Sequence, residues 1–310
     1  MTDREGATDL ARRFEDLRPY LRRLAYSTLG SLADADDVVQ EAWLRLQRQQ
    51  ESGGVPIDNL RAWLTTVTGR LALDQLGSAR VRREQYVGEW LPEPAVSDWE
   101  DPADRISQDE RVTMALLVVL ESLSPAERTA FVLQDVFGMS GPEVAEVVGR
   151  TPAAVRQLAS RARKRVEDGT PRFPASPDEQ EKVVSAFSVA WRSGDMSALL
   201  GVLDDRVTLT ADGGGKVPAI RKPVAGAEVI AKMLLGWYHL PAAEGGWGRT
   251  IEVNGMAGLL VFDGQHHGVF SFTVDADRIT AIHVVRNPDK LRDLPADAGA
   301  EWVLRESGES

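Results

Sequence analysis

Residues 141–166 read GPEVAEVVGRTPAAVRQLASRARKRV, and this run restricts the fold more than any other part of the chain. Ala145 is small enough for two helices to cross over it, and Gly149, four residues on, can take the positive φ of a tight turn. Thr151 is placed to cap a second helix whose first position suits Pro152. Val155, Leu158, Ala159, Ala162 and Val166 then recur at helical spacing as an inward stripe, which turns Gln157, Ser160, Arg161 and Lys164 outward. Arg156, Arg163 and Arg165 flank that outer stripe. A helix-turn-helix with such a second helix suits a DNA major groove; the alternative is a helical hairpin whose basic face is merely solvated.

Charge limits how that hairpin can work. The chain has 36 Lys and Arg against 47 Asp and Glu, a net charge of −11, and phosphate binding draws on a basic surface. The acid is concentrated elsewhere: residues 84–110 hold nine carboxylates against one arginine, a local charge of −8. Such a chain is expected to bind DNA weakly alone and well with a partner. There is no cysteine, which removes disulfides, thiolate nucleophiles and Cys-ligated zinc and fits a reducing cytoplasm. Four histidines without HxxxH or HxH spacing argue against a metal centre, and no cofactor is expected. The longest apolar run, Ala115 to Leu120, is too short to span a bilayer, so a cytoplasmic location without membrane attachment is expected.

Three blocks and two linkers follow from the patterning. Residues 10–83 predict helices, with Phe14, Leu17, Leu21, Leu24 and Ala25, then Val39, Ala42, Trp43 and Leu46, then Trp63, Leu64, Val67 and Leu71 at helical spacing. Residues 84–110, which contain WLPEP (Trp90, Leu91, Pro92, Glu93 and Pro94), have no sustained period and form an acidic linker. A second all-helical block spans 111–168, with Ser124, Pro125 and Glu127 as a helix start. A proline-rich linker, 169–177, precedes a third block, 178–295, in which helices give way to alternating runs at Thr250–Asn254, Gly258–Asp263, Gly268–Val274 and Arg278–Arg286. Helices followed by a meander predict a separate α+β domain. Residues 296–310 form a tail.

In the first block, DADDVVQEAWLRL leaves Asp36, Asp37, Gln40 and Glu41 on an acidic helix face, either a docking surface for a basic protein or a solvated one. Its neighbour RAWLTTVTGRLALDQLGSARVRRE joins Arg61, Arg70, Arg80, Arg82 and Arg83 to Trp63, a combination that suits splayed single-stranded DNA, although Trp63 itself falls in the apolar stripe and reads as core.

Taken with SPAERTAFVLQDVFGMSGPEVAEVVGRTPAAVRQLASRARKRV, these segments resemble bacterial RNA polymerase sigma factors of the extracytoplasmic-function class over nearly all of residues 10–167. The resemblance implies that the first block is sigma region two, with Asp37, Gln40 and Glu41 against the β′ clamp of core RNA polymerase and Asn59, Arg61, Arg70, Asp74 and Arg80 near the melted minus-10 strand. The second block resembles region four, which binds the β flap. There Arg156, Gln157, Ser160 and Arg161 would enter the major groove of the minus-35 element, and Arg150, Thr151, Arg163 and Lys164 would lie near phosphates. The acidic linker resembles the segment that threads the polymerase RNA-exit channel.

DGGGKV (Asp212, Gly213, Gly214, Gly215, Lys216, Val217), NPDKL (Asn287, Pro288, Asp289, Lys290, Leu291) and WLPEP together resemble the subgroup of these factors with a fused SnoaL-like domain, a cone-shaped α+β fold with a curved antiparallel sheet shared with ketosteroid isomerases and polyketide cyclases. Two roles for that domain compete. As a regulator in cis it replaces a dedicated anti-sigma factor and packs on the sigma blocks through the three motifs, with Lys216 and Asp289 able to pair across an interface and the tail a candidate inhibitory element. The plainer alternative is a simple hairpin turn and a C-terminal stop. As an enzyme it needs a general base, for which Asp212, His239, His267 and His283 are the candidates. His283 is expected to share a face with Ile279, Ala281 and Val285, pointing into the cone. Ligand sensing by the pocket, without chemistry, is the intermediate case. The combined expectation is a non-enzymatic initiation factor binding core polymerase and promoter DNA; the runner-up is a conventional helix-turn-helix regulator.

Overall fold

The structure is a computed structural model that describes residues 2–52, 56–84, 86–97, 112–238, 246–292, 294 and 302–303, with the backbone alone for 2–7, 79–84, 97, 238 and 302–303. The chain forms two compact units, one of residues 1–84 and 120–168, the other of residues 85–119 and 169–310.

The first unit is helical. Helices α1 (Thr2–Leu29), α2 (Leu32–Glu51) and α3 (Leu60–Glu84) enclose Phe14, Leu21, Val39, Ala42, Leu46, Leu64 and Val67, the residues that helical spacing turns inward. Leu120 at the end of α4 (Met114–Leu120) leads into α5 (Pro125–Phe131), α6 (Gly141–Val148) and α7 (Pro152–Gly169). Reciprocal capping boxes open α5 at Ser124 and Glu127 and α6 at Ser140 and Glu143, each satisfying two otherwise orphaned backbone donors. Gly149 closes α6 at φ +65°, and Thr151 Oγ1 accepts from the Ala154 amide at 3.2 Å. Between α5 and α6 the chain makes one π-helical turn, Val132–Val136, which no sequence pattern announces.

The two helical blocks share a core. Leu24 of α1 is buried with Ala130, Leu133, Val144, Ala145, Val148 and Val155, and Tyr20 and Leu73 pack against the same cluster. Helix α3 meets α6 so closely at Gly69 that a Cβ there would stand 3.0 Å from Val147 Cγ1.

The second unit is the α+β cone. Helices α8 (Pro177–Arg192), α9 (Met196–Val202) and α10 (Ala227–Tyr238) belong with a sheet in the order β1-β4-β5-β6-β7-β2-β3, from β1 (Val96–Ser97), β2 (Leu203–Asp212), β3 (Val224–Ala225), β4 (Trp247–Val253), β5 (Met256–Phe262), β6 (His267–Asp275) and β7 (Arg278–Val285); β8 (Trp302–Val303) also pairs with β4. The sequence predicts an antiparallel sheet, and every neighbouring pair of strands is antiparallel except β2 and β7, which run parallel. They lie far apart in the chain, with the meander between them, so no tight hairpin fixes their relative direction. One face of the sheet and the helices bury Phe187, Trp191, Phe270, Phe272, Ile282 and Val284, with Trp237 packed against them. The other face carries Ile251, Val253, Leu260 and Val269, covered by Val96 of the linker and by Leu291 and Leu294.

Candidate functional sites

On α2 the acidic face forms as the period requires. Asp37 and Gln40 are exposed. Glu41 is half-buried and bound to Arg45 at 3.1 Å and Arg48 at 3.5 Å, and Asp36 pairs with Arg22 at 2.7 Å, so arginines of the same block partly neutralise the face.

Of the residues assigned to melted DNA, the fold brings Asn59 and Arg61 together. They line a cleft of about 370 Å³ with Arg13, Asp16, Leu17, Asp58 and Leu60. Asn59 also caps α3, its Oδ1 accepting from the Ala62 amide at 3.1 Å. Arg61 lies 4.3 Å over the Tyr20 ring, a cation–π contact that fixes it at the cleft rim. Asn59→Ala is expected to lower helical-unit stability by about 1 kcal/mol through the lost cap, measurable by urea denaturation. Arg70 and Asp74 lie farther along α3, both exposed. Arg70 Nη2 donates to the Glu146 carbonyl at 3.1 Å and to its carboxylate at 3.0 Å, so it is engaged by the second block. The side chain of Arg80 lies outside the described residues.

Arg150, Thr151, Arg156, Gln157, Ser160, Arg161, Arg163 and Lys164 are exposed along and before α7. Two of them are not free as the sequence reading had them: Arg161 Nε binds Glu127 at 2.9 Å and Arg163 Nε binds Asp135 at 2.7 Å. Both acids belong to the segments before the turn, beyond the reach of helical spacing. Burial works against the Glu127 carboxylate, but the Ser124 hydroxyl and amide and Arg161 together hold its pKa below the usual range. A DNA contact by Arg161 or Arg163 therefore has to break an ion pair first, and freeing Arg161 costs more than freeing Arg163, because Glu127 is buried whereas Asp135 is partly exposed.

The three motifs outside the helical blocks meet in the second unit, around Asp212, which is fully buried. Its carboxylate accepts from Tyr86 Oη at 2.5 Å, the Leu91 amide at 3.0 Å, the Gly214 amide at 3.0 Å and Lys290 Nζ at 2.7 Å. Its carbonyl accepts from the Arg286 and Asn287 amides at 2.7 and 2.9 Å. Lys290, also buried, donates to the Leu91 carbonyl and stands 3.2 Å over the Trp90 ring. Asn287 Nδ2 donates to Tyr86 Oη at 2.8 Å. Burial and the neighbouring Asp212 carboxylate push the Tyr86 hydroxyl pKa well above its usual value. The linker is thus pinned by an interlocked pair of buried charges with every carboxylate oxygen used.

Glycine makes the close approach possible. Gly214 and Gly215 have φ of +65° and +69°, and a Cβ would meet Asn287 at 2.5 Å and Val87 at 2.9 Å, respectively. A Cβ on Gly213 would lie 2.4 Å from the Val217 carbonyl. Lys216 pairs with Asp289, whose pKa is lowered by Lys216 and then Arg292, and Pro288 opens a single 3-10 turn over Pro288–Lys290. Of WLPEP, Leu91, Pro92, Glu93 and Pro94 are buried. Tyr86 and Val87 escaped the sequence reading, as did Asn254, whose Oδ1 accepts from the Ala95 amide at 3.2 Å and whose Nδ2 donates to the Val112 carbonyl at 3.1 Å. The Asn254–Gly255 pair, with both φ positive, was a readable hairpin signal.

The candidate bases do not gather. Asp212 is held as above, His239 lies outside the described residues, and His267 is exposed beside Phe262 and Trp247. His283 does not point into the cone: Ile282 and Val284 line that core, so His283 faces the other side. The expected face failed because β7 carries an extra residue between Ile279 and Ala281, where the β6 register shifts, and one bulge inverts every later side chain. Burial depresses the His283 pKa from 6.5 to about 4. Between pH 6.5 and 4 the unfolded chain therefore binds the proton first, so stability present above pH 6.5 falls on acidification by on the order of 3 kcal/mol. His283→Gln is expected to flatten that slope in urea titrations at successive pH values.

Among the described residues, no group of three or more His, Cys, Asp or Glu is placed to hold a metal, and no helix is long and apolar enough to cross a membrane.

Two helical regions, the second a capped helix-turn-helix, followed by an α+β cone define a sigma-70-type chain. The sigma-70 region 2 family matches residues 13–82 and the sigma-70 region 4 family residues 113–166. The chain belongs to the extracytoplasmic-function RNA polymerase sigma factors. It is similar to SigJ of Mycobacterium tuberculosis, with 41% identity over 91% of this chain and 93% of that one. Probable sigma factor SigI of the same species is 36% identical over 91% of this chain and 94% of its own length. The crystal structure of M. tuberculosis SigJ superposes with a TM-score of 0.74 at 37% identity, covering 91% of this chain and 98% of that one.

Proposed function

We propose that this chain binds core RNA polymerase, directs it to a subset of promoters from a cytoplasmic location, and is tuned in cis by its cone domain without a dedicated anti-sigma factor. The observation that carries the reading is the pairing of an acidic face at Asp37, Gln40 and Glu41 with two separate basic readers, Asn59 and Arg61 at one cleft and Arg156, Gln157, Ser160 and Lys164 on α7. The placement of Asp212 and His283 supports a cone that acts without catalysis.

The packed helical unit adds a condition. Minus-35 and minus-10 elements are separate segments of the duplex, whereas Arg70 and Glu146 are hydrogen-bonded. The two regions therefore have to part for both elements to be read, and the Gly69–Val147 contact and Arg70–Glu146 pair are what has to break. Purified chain with bacterial core polymerase and a linear promoter fragment should give initiated transcripts, and the chain alone should bind the same fragment weakly. Equally tight DNA binding without polymerase, and no transcripts, would favour a conventional helix-turn-helix regulator. Truncation after Leu291 should change transcript yield; unchanged yield would remove the regulatory role of the tail.

A further inference from the structure

We propose that Tyr20 is a stacking platform for one nucleobase of single-stranded DNA, flanked by Arg23 and Arg61, and that Phe137 occupies it while the two helical regions are packed together. Tyr20 belongs to both cores of the helical unit. It packs against the cluster of Phe14, Leu64 and Val67 in the first region and against the cluster of Leu24, Ala130 and Val144 that the two regions share. Its ring has the surroundings of a base-binding site. Arg61 stands 4.3 Å and Arg23 5.9 Å from its centroid, and the Phe137 ring meets it edge-on at 5.6 Å. Arg23 is also 5.5 Å from the Phe137 centroid. Aromatic faces and guanidinium planes are what hold unstacked bases; here a phenyl ring from the second region fills that place.

Local structure delivers Phe137 to that position. Its amide donates to the Val132 carbonyl at 3.0 Å and so closes the π-helical turn, and Gly138, at φ +65°, then turns the chain toward α6. A bond reaching five residues back in place of four re-aims the side chain that follows. On the other side, the platform continues the wall of the cleft at Asn59. Leu17 lines that cleft and Tyr20 stands three residues on, along the same side of α1. Arg61 lines the cleft and also covers the Tyr20 ring. A strand lying in the cleft therefore runs onto Tyr20 once Phe137 has left. Because Phe137 belongs to the second region, the parting that promoter reading requires uncovers the ring, so packing of the regions and stacking of a base exclude each other.

The platform rests on this ring geometry. Its occupant, a base of the melted promoter, rests on the sigma-factor reading.

Titrating the full-length chain with a short fluorescent oligothymidylate, read by anisotropy, tests the platform. Phe137 is itself half-buried, so Phe137→Ala opens the Tyr20 ring to solvent and should raise affinity at least about fivefold, the low end of what stacking one base contributes. Adding Tyr20→Leu should abolish the gain. Adding Tyr20→Phe should keep it, because the ring carries the stack and the hydroxyl only takes a long bond from Thr65, 3.4 Å. No gain in Phe137→Ala, or a gain that survives Tyr20→Leu, would overturn the platform. A second measurement uses the unaltered chain and does not depend on how the variants fold. With core polymerase and a promoter fragment carrying 5-iodouracil at successive thymines of each strand, irradiation should join one of them to Tyr20, as mapped by mass spectrometry. Crosslinks only to other residues, in complexes that yield transcripts, would overturn the platform, and crosslinks to Tyr20 from iodouracil in the transcript but not in the promoter would overturn its assignment to DNA. Absence of transcripts from the unaltered chain would instead mark failure of the sigma-factor reading, while the oligothymidylate series still decides the platform.

Discussion

Lys290→Met should destabilise the cone unit by about 3–5 kcal/mol, the cost of leaving a buried charge without its partner. Asp212 has no exposed surface, so water cannot replace the ammonium group, and its other three donors are neutral. The methionine keeps most of the volume under Trp90, which confines the loss to charge and hydrogen bonding rather than packing. Asp212→Asn combined with Lys290→Met should recover much of the loss, because removing both members of a buried ion pair costs far less than removing one. Urea denaturation of the four proteins of this cycle checks it. Additive losses would mean that the two charges do not act as a pair.

Gly214→Ala should cost about 4 kcal/mol, since three effects of similar sign fall on one residue. A left-handed φ disfavours any Cβ by about 1–2 kcal/mol. The new methyl would stand 2.5 Å from Asn287, a distance no side chain accepts, so Asn287 has to move. It then gives up its bonds to Tyr86 Oη and from the Asp289 amide, worth about 1 kcal/mol each. Gly194→Ala serves as a comparison: it has a similar φ of +68° with open space around its would-be Cβ, so it should show the backbone cost alone. Equal losses at the two positions, by thermal or urea denaturation, would show that the approach of DGGGKV to NPDKL contributes nothing.

Elements with a strong internal period were legible. Helical spacing of Phe14, Leu21, Val39, Leu46 and Val67 named core residues that are in fact buried, and Gly149 and Thr151 marked the turn and cap of the helix-turn-helix correctly. Pairing over long sequence separations was not legible. Glu127 and Asp135 reach Arg161 and Arg163 only because tertiary packing sets α5 and the π turn beside α7. Likewise, a single extra residue in β7 defeated period-two counting for His283. The short strands β1 and β8, two residues each, carry too little pattern to register and exist through the β4 edge they join. Within the motif site, the glycines and the Lys216–Asp289 pair could be read as a close-approach turn, but Tyr86, 126 residues from the carboxylate it serves, could not.

Hydrogen exchange of the linker tests most directly the central claim, that DGGGKV, NPDKL and WLPEP form one latch holding the linker to the cone domain. In the free full-length protein the Leu91 amide, which donates to Asp212, should exchange as slowly as amides of the β5–β6 ladder. In Lys290→Met it should speed up severalfold more than they do. Rapid exchange at Leu91 in the unaltered protein, or identical linker exchange in the two proteins, would contradict the latch.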